Sequence, residues 1–222
     1  MKNWLRENRG FLLLLLCLGV FRTAIADWNP IPSGSMRPTL LEGDVVLVDR
    51  IAYDLKFPLT DFSLARISDP QRGDVVTFSS PRDGTRLIKR IVAVPGDVVE
   101  MRDEVLYING HAAQYLDRAL VQEPLEQGGE IPALRATERI GGSDRRVQFL
   151  PSVSAKRSVA PLVVPAGSYF MLGDNRDNSA DSRYIGFVPR RLLIGHASRI
   201  LVSADILGDW RPRIDRIGQT LR

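Results

Sequence analysis

Residues 87–94 read Leu-Ile-Lys-Arg-Ile-Val-Ala-Val, an apolar run rich in β-branched residues that predicts a β-strand. Side chains alternate across a strand, so each face is expected to carry one cation among apolar residues. The two sets are Leu87, Lys89, Ile91 and Ala93 on one face, and Ile88, Arg90, Val92 and Val94 on the other. Apolar surroundings disfavour the charged form of lysine and lower its pKa, which would make Lys89 a base. An edge strand whose cations reach out to water is the alternative.

Similar short runs recur along the chain and are separated by turn residues. They are residues 44–49, 74–78, 98–101, 105–108, 168–172 and 194–202, and the turns fall at Gly43, Gly73, Pro95-Gly96, Asn109-Gly110 and Gly167. No long helical period follows the apolar N-terminal segment. The sequence therefore predicts a mostly β fold.

A second stretch, residues 31–41, reads Ile-Pro-Ser-Gly-Ser-Met-Arg-Pro-Thr-Leu-Leu and places two hydroxyls around a glycine. Gly34 allows a sharp turn, while Pro32 and Pro38 keep the flanking backbone extended and stiff. A stiff loop positions an attacking oxygen well, so Ser35 is the candidate nucleophile and Ser33 its neighbour. An ordinary surface turn has the same composition.

A third stretch, residues 173–189, alternates acidic and basic residues around Gly-Asp-Asn-Arg-Asp-Asn-Ser-Ala-Asp-Ser-Arg. Its Asp and Arg residues can pair bidentately with one another or with a strand cation such as Arg90. Ser179 can orient a nearby amine. We expect this stretch to be a scaffold for the site, and a solvated turn is the alternative.

Together these stretches resemble bacterial type I signal peptidases, the membrane-bound serine proteases that remove signal peptides from exported proteins. The resemblance rests on four motifs in the family's order: Ser-Gly-Ser-Met-x-Pro-Thr-Leu (33–40), Arg-Gly-Asp-Val-Val (72–76), Ile-Lys-Arg-Ile-Val-x-x-Pro-Gly-Asp (88–97) and Gly-Asp-Asn-Arg-Asp-Asn-Ser-x-Asp-Ser-Arg (173–183). They cover most of the chain outside residues 1–25, 111–165 and the tail.

The resemblance implies a role for each matching residue. Ser35 would be the nucleophile and Lys89 the general base, with the backbone N–H of Ser35 and the hydroxyl of Ser33 stabilising the oxyanion. Ser179 would orient the lysine. The implied ion pairs join Asp174 and Asp181 to Arg90 and Arg183. One residue departs from the family pattern, since Ile185 stands where the family usually has Trp.

The resemblance also implies the substrate, an extended signal peptide with small side chains at the first and third positions before the cut, the Ala-x-Ala pattern. No metal or cofactor is required for this chemistry. Five apolar residues are candidates for the wall of a shallow substrate pocket, although each is equally consistent with the core: Ile31, Met36, Leu40, Val46 and Ile88.

The implied fold is a catalytic core of antiparallel β-sheets with a second β region inserted into it, preceded by one transmembrane helix. The predicted boundaries are 1–28 for the cytoplasmic N-terminus and anchor, 29–110 and 166–222 for the two parts of the core, and 111–165 for the insert. The insert is richer in Glu, Arg, Gln and Gly.

Lys2, Arg6 and Arg9 precede an apolar block at residues 11–21, which predicts either an anchor or a cleavable signal ending at residues 24–26, Ala-Ile-Ala. We favour an uncleaved anchor extending to about Trp28, with Arg22 reaching outward. The basic start places the N-terminus in the cytoplasm. The catalytic part is then expected on the periplasmic or extracytoplasmic side of the bacterial inner membrane, in contact with the lipid bilayer.

The net charge, the single cysteine and the two histidines give no indication of nucleic-acid binding, a disulfide or a metal site. The net charge of +4 is spread along the chain, so nucleic-acid binding is not indicated. Cys17 is the single cysteine and has no partner for a disulfide. His111 and His196 lack metal-like or triad-like neighbours and are interpreted as structural. Nothing in the sequence indicates the oligomeric state.

Two other functions fit parts of the sequence. The related Ser/Lys self-cleaving repressors share the β architecture, but they carry a DNA-binding module where this chain has an apolar segment. A membrane-tethered β domain with an inactive or self-processing Ser/Lys site is the second alternative, since motifs do not measure turnover.

Overall fold

The computed structural model describes Trp4, residues 7–124 and residues 128–221, and every pairing between its named strands is antiparallel. The main sheet has seven strands. Their spatial order is β1 (Ala26–Pro30), β2 (Asp44–Asp49), β16 (Leu193–Ser203), β5 (Val75–Ser79), β6 (Arg86–Ala93), β14 (Ser168–Leu172) and β15 (Val188–Pro189). The prediction of a mostly β, antiparallel fold is confirmed.

Three smaller sheets complete the structure. A four-stranded sheet has the order β13 (Val159–Val163), β7 (Val98–Arg102), β8 (Val105–Ile108) and β9 (His111–Ala112). A three-stranded sheet contains β10 (Gln114–Pro124), β11 (Glu130–Ile140) and β12 (Ser143–Phe149), and a two-stranded one pairs β3 (Asp54–Lys56) with β4 (Ser63–Arg66). The predicted insert at 111–165 thus shares a sheet with β7 and β8, since β9 and β13 flank them.

The predicted strand at residues 87–94 forms most of β6, and Lys89 and Arg90 project to opposite faces. The alternation breaks further along. Consecutive residues of β14 pair with Ala93 and Ile91, so Val92 is an extra residue in β6, which is a β-bulge. Val92 and Ala93 consequently pack into the same apolar cluster instead of opposite ones. A strict period of two along the sequence does not reveal such a bulge.

The N-terminal helix α1 (Arg9–Ala24) is shorter than predicted. The expected extension to Trp28 is wrong, because Trp28 lies in β1 and pairs with Leu47 of β2. The Arg22 guanidinium lies 4.5 Å from the centre of the Trp28 ring and 2.8 Å from the carboxylate of Asp27. The sheet contacts of β1 therefore end the helix.

Among the residues that the structure describes, no helix is both long enough and apolar enough to cross a membrane. The second helix, α2 (Ser182–Ile185), is a single turn that lies in the third predicted stretch.

Candidate active site

Ser35 lies in one turn of 3-10 helix, Gly34–Met36, between β1 and β2. Backbone hydrogen bonds close the loop at its base, from Ile31 N to Asp44 O at 2.8 Å and from Gly43 N to Ile31 O at 3.0 Å. A Cβ at Gly34 would lie 2.8 Å from a carboxylate oxygen of Glu42. Any larger residue there would therefore displace this carboxylate, whose other oxygen accepts a hydrogen bond from Arg37 Nε.

Lys89 is the buried partner of this serine. Its side chain is 2% exposed, and its Nζ lies 2.7 Å from Ser35 Oγ and 2.9 Å from the carbonyl oxygen of Ile88. Burial lowers the pKa of Lys89 from its ordinary 10.5 to about 8, although the charges of Asp181 and Asp174 oppose this shift. At pH 7 roughly a tenth of Lys89 is thus neutral and able to accept the serine proton.

A second buried lysine, Lys56 in β3, was not identified from the sequence. Burial also lowers its pKa to about 8. Its Nζ donates hydrogen bonds to the carbonyl oxygens of Leu193 and Ile194, the latter at 2.9 Å. A lowered pKa alone therefore does not identify the base, and the contact between Lys89 and a hydroxyl distinguishes the two lysines.

Two buried ion pairs hold the carboxylates near Lys89. Arg90 binds Asp174 bidentately at 2.9 and 2.7 Å, with both side chains 1% exposed. Arg183 binds Asp181 in the same manner at 2.8 and 2.7 Å, and Gly173 N donates to Asp181 at 3.0 Å. Each carboxylate is occupied by a guanidinium, so its attraction for a lysine proton is weakened.

Asn175 connects the third stretch to the nucleophile loop, a contact that the sequence analysis missed. Its backbone N–H donates to Ser35 O at 3.2 Å and its side-chain amide donates to Gly34 O at 3.0 Å. A Cβ at Gly173 would lie 2.5 Å from Ser35 O, so the two loops are in close backbone contact. The only sequence signal was the position of Asn175 inside the Gly-Asp-Asn motif.

Of the two remaining serines, Ser179 differs from the expectation, and the role predicted for Ser33 stays a prediction. Ser179 Oγ is buried beside Gly173 and has no hydrogen-bond partner among the described residues, so its expected hydrogen bond with Lys89 is not formed. Ser33 is exposed and directly precedes the turn that carries Ser35, and within the described part of the chain its side chain does not cap that turn.

The five predicted wall residues lie together in one apolar cluster. Ile31, Met36, Leu40 and Val46 are buried in it, whereas Ile88 is partly exposed and packs against it. Ile88 directly precedes Lys89 and is the member of the set that reaches the surface. The other four pack as core residues, which is the alternative that the sequence left open.

The other residues singled out in the sequence lie elsewhere. His196 packs edge-on against Tyr53, with ring centres 6.2 Å apart, and His111 is exposed on β9. Ile185, the departure from the family pattern, packs against the cluster that contains Ile91 and Met171. Among the described residues, no group of three His, Cys, Asp or Glu side chains is arranged to hold a metal ion.

The lowered pKa of Lys89 gives a pH prediction. The neutral amine is the active form, so kcat/KM should rise with pH. The midpoint of this rise should lie near 8 and not at the 10.5 of an exposed lysine. Lys56 titrates near the same pH, so Lys56→Met serves as the control and should leave the midpoint in place. The measurement is kcat/KM for peptide cleavage by both proteins over a pH range that extends below the lowered pKa of ~8 and above the ordinary lysine pKa of ~10.4. A midpoint near 10.5 in the wild type would exclude Lys89 as a buried base.

Comparison with known proteins gives consistent matches. The family described as "Signal peptidase, peptidase S26" matches residues 1–202. Signal peptidase I of Pseudomonas fluorescens is 37% identical over 208 residues, which cover 88% of this chain and 72% of the relative. The Pseudomonas aeruginosa enzyme is 36% identical over 227 residues, covering 95% and 77%. A solved signal peptidase I from Enterococcus faecalis is 35% identical, covers 60% of this chain and 99% of its own, and has a TM-score of 0.36.

Proposed function

The chain belongs to the signal peptidase family, peptidase S26, and from this premise we propose that it is a membrane-bound serine endopeptidase that cleaves signal peptides from exported preproteins. The observation that carries the proposal is the 2.7 Å contact between Ser35 Oγ and the buried Nζ of Lys89. A serine hydroxyl needs a positioned base to attack a peptide carbonyl, and a neutral lysine is such a base.

The geometry supports a two-step reaction. Lys89 takes the proton as Ser35 Oγ attacks the scissile carbonyl, and it then donates that proton to the departing amine, which leaves an acyl-enzyme. In the second step Lys89 takes a proton from water, and the resulting hydroxide releases the peptide acid and restores the hydroxyl of Ser35. We assign the backbone N–H of Ser35 and the hydroxyl of Ser33 as the donors that stabilise the oxyanion.

The scaffold supports this chemistry electrostatically. An unpaired carboxylate close to Lys89 would stabilise the ammonium form and keep the base protonated. Since Arg90 occupies Asp174 and Arg183 occupies Asp181, these carboxylates orient the surrounding loops at a smaller cost to the basicity of the lysine. We propose that Ser179 orients the lysine during the reaction, and its buried hydroxyl, which has no partner in the described residues, is available for that contact.

We propose that the substrate binds extended with small side chains before the cut, as in Ala-x-Ala. This choice rests on the family match and on the apolar cluster behind Ser35, in which four of the predicted wall residues are buried and Ile88, next to Lys89, is partly exposed. In our proposal Ile88 supplies the apolar surface that contacts the methyl group of such an alanine.

Exposed apolar surface supports the membrane part of the proposal. The side chains of α1 from Phe11 to Phe21 are largely exposed, and so is a group on the neighbouring β3–β4 hairpin: Leu55, Phe57, Leu59, Phe62, Leu64 and Ile67. A hydrogen bond of 3.0 Å from Leu59 N to Thr23 Oγ1 joins the hairpin to the end of the helix. Contiguous apolar surface of this kind marks contact with a membrane or partner. We propose the bacterial cytoplasmic membrane, with the N-terminus cytoplasmic and the catalytic part on the other side.

Cleavage of a synthetic peptide by protein solubilised from membranes tests this proposal. We expect a single cut after the second Ala of an Ala-x-Ala site, by protein whose N-terminal sequence begins at Met1. A matched peptide with Leu in place of that Ala should be cleaved roughly 10²-fold more slowly, because the proposed site is specific for a small side chain at this position. Mass spectrometry of the products and N-terminal sequencing of the enzyme are the measurements.

Three outcomes would contradict parts of the proposal. Equal cleavage of both peptides would remove the proposed specificity. A start at Asp27, with activity in the soluble fraction, would remove the anchor. A folded protein that binds the peptide without cutting it would favour the tethered binding domain over the enzyme.

A further inference from the structure

The three-stranded sheet β10–β12 reaches both loops of the site through charged side chains, which are buried except for that of Arg135. This sheet lies within the predicted insert, to which the reaction assigns no role. The contacts run from the nucleophile loop through the sheet and back to the loop that contains Asp174. They suggest that the sheet does more than extend the fold.

The first contact begins at Arg37, two residues after Ser35. Its side chain is nearly buried, and its Nε donates to Glu42 at 2.7 Å. Arg37 also forms an ion pair with Glu123, near the end of β10. The other carboxylate oxygen of Glu42 is the one that would meet a Cβ at Gly34. The Arg37–Glu42 pair thus packs directly against the turn that carries Ser35.

The second contact continues across the sheet. Glu123 also pairs with Arg135 of β11 at 2.7 Å, and Arg135 Nε donates to the side chain of Gln148 in β12 at 3.0 Å. The backbone of Gln148 accepts from Arg176 N and donates to Asp174 O, both at 2.8 Å. The end of β12 is therefore fixed to the loop whose carboxylate holds Arg90.

Two further contacts close the connection. Asn175 lies between Asp174 and Arg176 in the sequence, and it donates hydrogen bonds to Gly34 O and Ser35 O. The path of contacts therefore ends at the turn where it began. Arg176 also forms an ion pair with Glu138 of β11, and both side chains are buried. The path of contacts is a ring that passes through all three strands and includes the nucleophile.

We infer that Arg37 and Glu123 are positioning residues, and that the sheet β10–β12 uses them to hold Ser35 at reacting distance from Lys89. This inference rests on the proposed function. Buried ion pairs are costly to desolvate and contribute little net stability. We therefore infer that these pairs serve to fix the position of the nucleophile loop. A displacement of about 1 Å in a reacting group lowers rates by about 10²-fold. Contacts that prevent such a displacement of Ser35 would therefore preserve the rate.

The test variant is Glu123→Gln in the full chain. Glutamine keeps the size of the side chain but removes the charge, and Arg37 retains Glu42. We expect kcat on the Ala-x-Ala peptide to fall about 10-fold to 100-fold, with KM changed less than about twofold, because the substrate surface is untouched. The midpoint of the pH limb should stay in place, since the burial of Lys89 does not change.

Asp144→Asn is the matched control. Asp144 pairs with Arg139 between β11 and β12, and both side chains are about half exposed, away from the ring. This variant removes one acidic charge from the same sheet without touching either loop. Its kcat, KM and pH limb should equal those of the wild type.

A second variant keeps the test informative if Glu123→Gln does not fold. Combining Arg37→Met, Glu42→Gln and Glu123→Gln removes the buried charges together, which proteins tolerate better than a lone unpaired ion. We expect this protein to fold and to lose no more kcat than is expected for Glu123→Gln alone, about 10-fold to 100-fold. Such non-additive losses are expected when the residues act through one contact.

Several results would overturn the inference. One is wild-type kcat in folded Glu123→Gln or in the triple variant. Another is an equal loss in Asp144→Asn, and a third is a midpoint that moves up towards the ordinary lysine pKa, which would mean that water has entered the site. Failure of the proposed function would look different, because the wild type itself would then leave the peptide uncut.

Discussion

We expect Ser35→Ala to lower kcat by at least about 10⁴-fold, because the variant lacks the nucleophile. Among the described residues, Lys89 Nζ is hydrogen-bonded to Ser35 Oγ and to the carbonyl oxygen of Ile88, and only the serine hydroxyl can attack a peptide bond. Folding should be unaffected, since Ser35 is partly exposed and the change removes one oxygen atom. The measurements are single-turnover cleavage of the Ala-x-Ala peptide and thermal unfolding of the same samples.

Ser33→Ala provides the graded comparison for this prediction. Ser33 is proposed to donate one hydrogen bond to the oxyanion, and loss of one such donor typically costs about 10²–10³ in rate. The nucleophile of this variant stays intact, so its cleavage should remain measurable and well above that of Ser35→Ala. Turnover by Ser35→Ala at a rate close to that of the wild type would remove Ser35 from the chemistry.

The second large effect is expected for Lys89→Met, with Lys56→Met as its matched control. Both lysines are buried and burial lowers the pKa of each to about 8, but only Lys89 contacts Ser35. Lys89→Met should abolish cleavage and leave thermal stability close to that of the wild type, because the loss of the hydrogen bond to Ile88 O is offset by replacing a poorly solvated amine with an apolar side chain of similar length.

Lys56→Met should give the opposite pattern. The carbonyl groups of Leu193 and Ile194 lose a buried donor, which should cost about 1–3 kcal/mol of stability. Its kcat should stay near the wild-type value at temperatures below unfolding. Activity retained by Lys89→Met, or lost by folded Lys56→Met, would reverse the assignment of the base.

Local signals in the sequence predicted seven of the sixteen strands named in the described part of the chain. Alternating and apolar runs between glycines reproduced β2, β5, β6, β7, β8, β14 and β16 to within about one residue. The long strands β10–β12 were not resolved in advance. Their polar and charged residues, such as Glu123 and Arg135, contact other loops and not one apolar core, so they show little hydrophobic periodicity.

The end of the N-terminal helix shows the opposite error. Residues 11–28 are apolar enough to predict a helix extending to Trp28, yet β1 takes over at Ala26. Pairing with β2 satisfies the backbone of Trp28 and buries Asp27 and Asn29, and no local propensity contains that information. Strand pairing therefore ended the helix earlier than the local hydrophobicity predicted.

The sequence by itself determined the chemistry available to this protein: a serine on a stiff glycine turn, a lysine within an apolar strand, and Asp and Arg residues in numbers that can pair. Only the tertiary structure decided which groups meet. It brought Lys89 and not Lys56 to Ser35, left Ser179 Oγ without a partner in the described residues, and linked Arg37 to Glu123. The reason is that burial and contact, which set a lysine's pKa and its partner, depend on residues far away in the chain.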